Sequence, residues 1–183
     1  MMNLNMIKRA TLVLSLVFLS NTALSAFVLS PSISYSEREV EENNTNVESK
    51  LTTIDFRIGY TLDFGLYFGG LYSLQDENLF GQESSDSYAG LSVGYEFMNW
   101  FLVGTYYLYG EKDLNTGGVK YSGGTGYQLD LTYMVPITDM LFLGPQISYF
   151  VVDFKDQQVN GVSSTADYEV EGITPAFNVT FKF

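Results

Sequence analysis

Five charged residues stand where an ordinary soluble sheet has little use for charge. Asp55, Arg57, Glu96, Asp130 and Lys182 each fall on the small, polar face of a stretch in which apolar and polar residues alternate. Two chemistries suit ionised groups confined to such a face. One is a network of ion pairs and hydrogen bonds that fills an interior; the other is a file of fixed charges along an ion path. Acids outnumber bases in this set, so at least one carboxylate needs water or hydroxyl partners. A second acidic set lies in the polar stretches between: Glu37, Glu39, Glu41, Glu42 and Glu48 beside Arg38 and Lys50, then Asp76, Glu77, Glu83 and Asp86, then Asp156, Asp167, Glu169 and Glu171. Hard divalent cations take oxygen ligands of this kind, but no stretch has the spacing of an EF-hand, and no metal site is expected. The chain has no His and no Cys. Imidazole bases, thiol nucleophiles and disulfides are therefore excluded. No catalytic residue and no cofactor-binding residue is expected.

The elements that carry these charges show a period of two. Ile54, Phe56, Ile58, Tyr60 and Leu62 alternate with Asp55, Arg57, Gly59 and Thr61. Ala89, Leu91, Val93, Tyr95 and Phe97 alternate with Gly90, Ser92, Gly94 and Glu96. Leu129, Leu131, Tyr133 and Val135 alternate with Gln128, Asp130, Thr132 and Met134. Ile173, Pro175, Phe177, Val179, Phe181 and Phe183 alternate with Gly172, Thr174, Ala176, Asn178, Thr180 and Lys182. A period of two is the signature of strands. The first three run through short turns into partner strands at 66–74, 101–109 and 141–149. These partners align at Leu66-Tyr67-Phe68-Gly69, Phe101-Leu102-Val103-Gly104 and Leu141-Phe142-Leu143-Gly144, a degenerate hairpin repeat. With one strand at 27–36 and one at the C-terminus the count is eight. Connections alternate: short at 63–64, 98–99 and 136–139, long and polar at 37–50, 75–87, 110–124 and 155–167. Short turns at one end and long loops at the other predict an all-β, eight-stranded antiparallel up-and-down transmembrane β-barrel.

Lipid explains the pattern. Strands in hydrocarbon cannot leave backbone groups unpaired, so the sheet must close. Tyr60, Tyr72, Tyr95, Trp100, Tyr107, Tyr109, Tyr133 and Tyr149 sit near strand ends, where interfacial girdles belong. A soluble eight-stranded carrier with its apolar face inside is the competing architecture. It would need a water-compatible outer face, and the other face here is mostly Gly, Ser and Thr. Residues 1–26 read as a signal peptide: Lys8 and Arg9, an apolar run from Ala10 to Leu19, then Ala23-Leu24-Ser25-Ala26, with cleavage after Ser25 or Ala26. The apolar run is shorter than the ~20 residues a spanning helix needs. The remaining domain, 27–183, carries 7 basic and 21 acidic residues, net −14. That balance excludes nucleic acid as a partner.

The strand that closes on Phe183, with Phe177, Val179 and Phe181 before it, resembles the C-terminal assembly signal of bacterial outer-membrane barrels. Together with the leader and the hairpin periodicity, this makes the chain similar to the small eight-stranded outer-membrane proteins of Gram-negative bacteria, the OmpX, opacity-protein and OmpA-barrel type. The resemblance spans 27–183 and singles out no subfamily. It implies an outer-membrane location and the barrel-assembly machinery, lipid and lipopolysaccharide as partners, a monomeric barrel, and a structural or surface-interaction role through the acidic loops, with an extracellular partner met there. A narrow pore for ions or small solutes is the alternative. Barrels of this size that modify lipid A use a histidine beside a serine, so that activity is not expected here.

Overall fold

The computed structural model describes residues 24–42, 45–79, 82–114 and 118–183, with side chains over 26–36, 50–78, 83–114 and 118–183. Most of the expected leader, 1–23, lies outside the described residues. Ten strands follow in order: β1 (Leu24–Glu42), β2 (Thr45–Leu62), β3 (Leu66–Leu79), β4 (Gln82–Phe97), β5 (Trp100–Leu114), β6 (Val119–Ser122), β7 (Thr125–Tyr133), β8 (Val135–Pro136), β9 (Leu141–Val159) and β10 (Val162–Lys182). β6, β7 and β8 lie end to end and act as one stave, because all three pair with β9. The result is a ring of eight antiparallel staves, closed where β10 meets β1. The closing register is Val28↔Lys182, Leu29↔Phe181, Ser32↔Asn178 and Ile33↔Phe177. Below it, the Phe27 N–H donates to the Phe183 carbonyl at 3.0 Å and the Phe183 N–H donates back to the Phe27 carbonyl at 2.9 Å.

Side-chain parity sorts the two faces of the wall. Ile54, Phe56, Ile58 and Tyr60 are exposed, whereas Asp55 and Arg57 between them are buried. The same holds for Leu91, Val93, Tyr95 and Phe97 outside Ser92, and for Leu129, Leu131 and Tyr133 outside Gln128, Asp130 and Thr132. Such an apolar exterior is stable only in lipid; in water it would be a continuous aggregation surface. Tyr60, Tyr72, Tyr95, Trp100, Tyr109 and Tyr133 face outward near the edges of this belt, and Trp100 packs edge-on against Tyr133 at 4.9 Å. Phe177 on β10 and Phe183 just after it face outward. The Phe181 and Phe183 rings stack at 6.4 Å.

Three sequence expectations change. Tyr107 belongs to the interior, not to a girdle: its side chain is buried against Tyr88 at 5.2 Å. β5 keeps strict parity up to Tyr107, and a register shift against β4 then leaves Leu108 unpaired between Tyr107 and Tyr109. That bulge puts Leu108 and Tyr109 both outside. The aligned glycines of the partner strands are also not equivalent. Gly69 and Gly144 face inward beside Tyr67 and Gln146, while Gly104 faces outward between the inward-facing Val103 and Thr105. Finally, the long connections are largely strand. β1 and β2 stay paired from Glu37↔Lys50 to Glu42↔Thr45. β3 and β4 stay paired to Leu79↔Gln82. β9 and β10 turn at Asn160-Gly161, both at positive φ, with Val159 paired to Val162. Above the bilayer the outer face meets water too, so polar residues stand on both faces and the apolar period vanishes although the backbone ladder continues.

Candidate functional site

The interior is the place where chemistry-bearing groups converge. Arg57 on β2 crosses the barrel to Asp130 on β7, on the opposite side of the eight-stave ring. Its Nη2 donates to Asp130 Oδ2 at 2.5 Å, and neither side chain is solvent-exposed. Asp130 Oδ1 accepts from Gln128 Nε2 at 2.7 Å and from Gln146 Nε2 at 3.2 Å. Gln128 Nε2 also donates to Asp55 Oδ2 at 3.2 Å, and Tyr107 OH donates to Gln128 Oε1. The web then runs to the seam. Asn178 Nδ2 donates to Gln146 Oε1 at 3.1 Å and to Ser30 Oγ at 2.9 Å, joining β10 to β9 and β1. A buried ion pair tolerates desolvation only when the remaining lone pairs are occupied in this way. Asp55 Oδ1 and Arg57 Nε have no hydrogen-bond partner among the described residues.

Glu96 and Lys182 form a separate cross-bar. They pair directly between β4 and β10, again on opposite sides of the ring, and Lys182 Nζ lies 4.4 Å over the Phe142 ring. The five charges thus form two groups, Asp55–Arg57–Asp130 at mid-height and Glu96–Lys182 at the short-turn end. A third cluster lies at the opposite mouth. Lys112 Nζ reaches Asp86 Oδ2 at 3.0 Å, Ser84 Oγ at 3.2 Å and Glu77 Oε2 at 3.3 Å. Tyr88 OH donates to the same Asp86 oxygen at 3.0 Å. Continuing the parity of Ser92 and Tyr88 along β4 would have placed Asp86 inside. For Lys112 the bulge at Leu108 hides the parity. This mouth lies above the apolar belt. Burial pushes the Asp86 carboxyl above the ordinary aspartate value, partly offset by Lys112. Burial pulls the Lys112 ammonium down, but Asp86 and Glu77 outweigh it and hold the group above the ordinary lysine value. On the rim, Lys120 pairs with Glu111 at 2.7 Å, which lowers the Glu111 carboxyl.

Between these charged levels lie two apolar layers. Val28, Tyr67, Phe101, Val103 and Met134 pack between the Glu96–Lys182 bar and the central web. Leu71, Tyr88, Tyr107, Val152 and Phe154 pack between the web and the mouth. Tyr121 stacks on Tyr168 at 4.6 Å over that upper layer. An eight-stave barrel is only wide enough for its own side chains, and here they fill it in alternating polar and apolar tiers. The arrangement cross-links opposite walls. Among the described residues no group of three or more acids is placed to hold a metal ion.

No family model matches the chain, and no curated protein matches it either. Solved structures do. The chain is similar to Neisserial surface protein A, with 15% identity and a TM-score of 0.51, over 86% of this chain and 97% of that one. It is also similar to the β-domain of the Bordetella autotransporter BrkA, at 12% identity and a TM-score of 0.45, over 86% and 98%. The translocator domain of the autotransporter NalP from Neisseria meningitidis aligns at 9% identity and a TM-score of 0.40, over 96% and 95%. Closed ring, short turns at one end, lipid-facing belt and filled interior together give this chain the fold of a small eight-stranded outer-membrane β-barrel.

Proposed function

We propose that the protein resides in the outer membrane as a non-conducting barrel and works through the four β-ribbons at the end opposite the short turns. The observation that carries this reading is the continuation of the strand ladders well past the apolar belt. A barrel meant only to sit in lipid needs no such extension, since a spanning strand takes ~9–11 residues, whereas β9 has 19 and β10 has 21. The ribbons carry exposed acids, among them Asp76, Glu83, Asp113 and Glu169. Such a surface suits weak binding of divalent cations and, through them, the phosphates of lipopolysaccharide, as well as an extracellular partner with basic groups. The same barrel in monomeric form would pass through the barrel-assembly machinery by way of Phe177, Val179, Phe181 and Phe183. The filled tiers of the lumen weigh against the pore alternative.

The test has two arms. In a planar bilayer the purified barrel is expected to pass no steady current; regular single-channel steps would move the pore reading ahead. On cells, shortening all four ribbons to the belt edge should abolish adhesion to lipopolysaccharide-bearing surfaces in the presence of calcium, with the barrel still folded by gel heat-modifiability. Adhesion that survives the shortening would move the activity to the wall or the lumen.

A further inference from the structure

Most glycines of the wall are there because nothing larger fits. A Cβ on Gly59 would overlap the Phe68 carbonyl and the Tyr67 ring, one on Gly126 the Val151 carbonyl, and one on Gly144 the Tyr133 carbonyl. Two wall glycines have no such reason. A Cβ on Gly104 would meet nothing closer than Leu129 Cδ2 at 3.5 Å, and one on Gly70 nothing closer than the Gly90 carbonyl at 3.4 Å. Neither has a positive φ. Glycine in a strand interior forgoes side-chain packing and carries an entropic cost, so its presence without steric need points to what lies outside it.

Both glycines face the lipid, and each floors a groove. Over Gly104 the groove measures about 480 Å³, walled by Leu91 and Val93 on one side and Leu129 on the other, with Tyr106 and Tyr127 toward the ribbon end. Over Gly70 it measures about 340 Å³, walled by Leu29, Phe56, Ile58 and Tyr72. The polar side chains next to these floors, Thr105, Gln128 and Arg57, point inward and are buried, so the grooves present carbon. They are continuous with the apolar belt, and their tyrosine-bearing ends lie toward the ribbon side. We propose that each groove seats one acyl chain of an outer-leaflet lipid, held against the glycine floor rather than exchanging freely with the annulus. A second copy of the chain is a poorer occupant. The two grooves lie on different parts of the wall, β1 to β3 and β4 to β7, and a paired interface would use one continuous patch.

The probe is a spin-labelled phosphatidylcholine in vesicles, with the label on the acyl chain, read by electron paramagnetic resonance at fixed protein-to-lipid ratio. The expected result is a motionally restricted component that falls by two lipids per barrel in the Gly70→Leu, Gly104→Leu variant. Leu129→Ala, which widens the Gly104 groove and leaves the glycines alone, should hold or raise that component. Gly104→Ala, which the geometry accommodates, should fold and give a partial fall if the double variant does not fold. An unchanged restricted component in the folded double variant would overturn the proposal. So would a concentration-dependent dimer of the wild type that Gly104→Leu abolishes, since that would assign the groove to a second copy.

Discussion

Arg57 is the residue on which the interior depends most directly. It is the central cation opposite Asp130 and beside Asp55, with no exposure to water. Arg57→Ala should leave the buried Asp130 carboxyl without its cation and destabilise the barrel by ~3–5 kcal/mol, as expected for breaking a buried pair from one side. Urea unfolding in detergent micelles, followed by tryptophan emission from Trp100, measures this. A barrel as stable as the wild type would mean that water already solvates both acids. Lys112 makes a pH prediction. Its folded-state value lies above the ordinary lysine value, so its contribution is complete below that ordinary value and is lost as pH rises through the folded one. Through Lys112 the mouth should therefore loosen in strong alkali, seen as faster amide exchange at Ser84 and Asp86 than at Ser92, while any step at lower pH belongs to the Asp86 carboxyl, which burial holds above its ordinary value. Unchanged protection through strong alkali would contradict the placement of the ammonium. The Glu111–Lys120 pair is partly exposed and should matter little: exposed pairs contribute ~0–1 kcal/mol and weaken with salt.

At the scale of the element, the wall glycines divide sharply. Gly126→Ala should cost ~1–3 kcal/mol, because its Cβ would meet the Val151 carbonyl of the paired strand and overpacked sites strain their neighbours. Gly104→Ala should be neutral or stabilise by ~0.4–1 kcal/mol through the unfolded chain. Parallel thermal melts on gels would separate them, and an equal loss for both would show that the Gly104 backbone is constrained after all. The same scale shows what the sequence reveals. Wherever one face meets lipid and the other meets the lumen, as at Asp55, Arg57, Glu96 and Asp130, strict alternation makes parity readable from the residues. It stops being readable at two kinds of place. Where both faces are apolar, as at Phe101 to Tyr107, composition cannot say which side is inside, and Tyr107 is misassigned. Where both faces carry polar residues, as in the ribbons, nothing distinguishes strand from loop except turn chemistry. The Asn160-Gly161 pair between two valines is such a signal, since this dipeptide supplies the positive φ values of a tight hairpin. In the mouth cluster Asp86 still follows the parity of Ser92 and Tyr88, whereas Lys112 is hidden by the bulge at Leu108.

For the molecule as a whole, the tiers divide stability from recognition. The two apolar layers and the central web lie within the belt, and the ribbons lie beyond it. Shortening the ribbons should thus leave the unfolding midpoint of the belt region nearly unchanged while removing surface binding; a midpoint that collapses would make the ribbons part of the core. The ring closes through one junction, Val28 to Ile33 against Phe177 to Lys182, whose partners are separated by almost the full length of the barrel sequence. Every other junction joins strands that are neighbours, or nearly so, along the chain. A nascent chain lacking β10 has therefore completed seven of its staves and still presents two open edges, which hydrocarbon does not tolerate. The arrival of one strand, the last to be synthesised of the eight staves, decides between an insertable cylinder and an unfinished sheet. In a cell this amounts to an inspection of completeness: ribosomal stalling or a premature stop leaves a product that fails at the membrane rather than one that lodges there half-made.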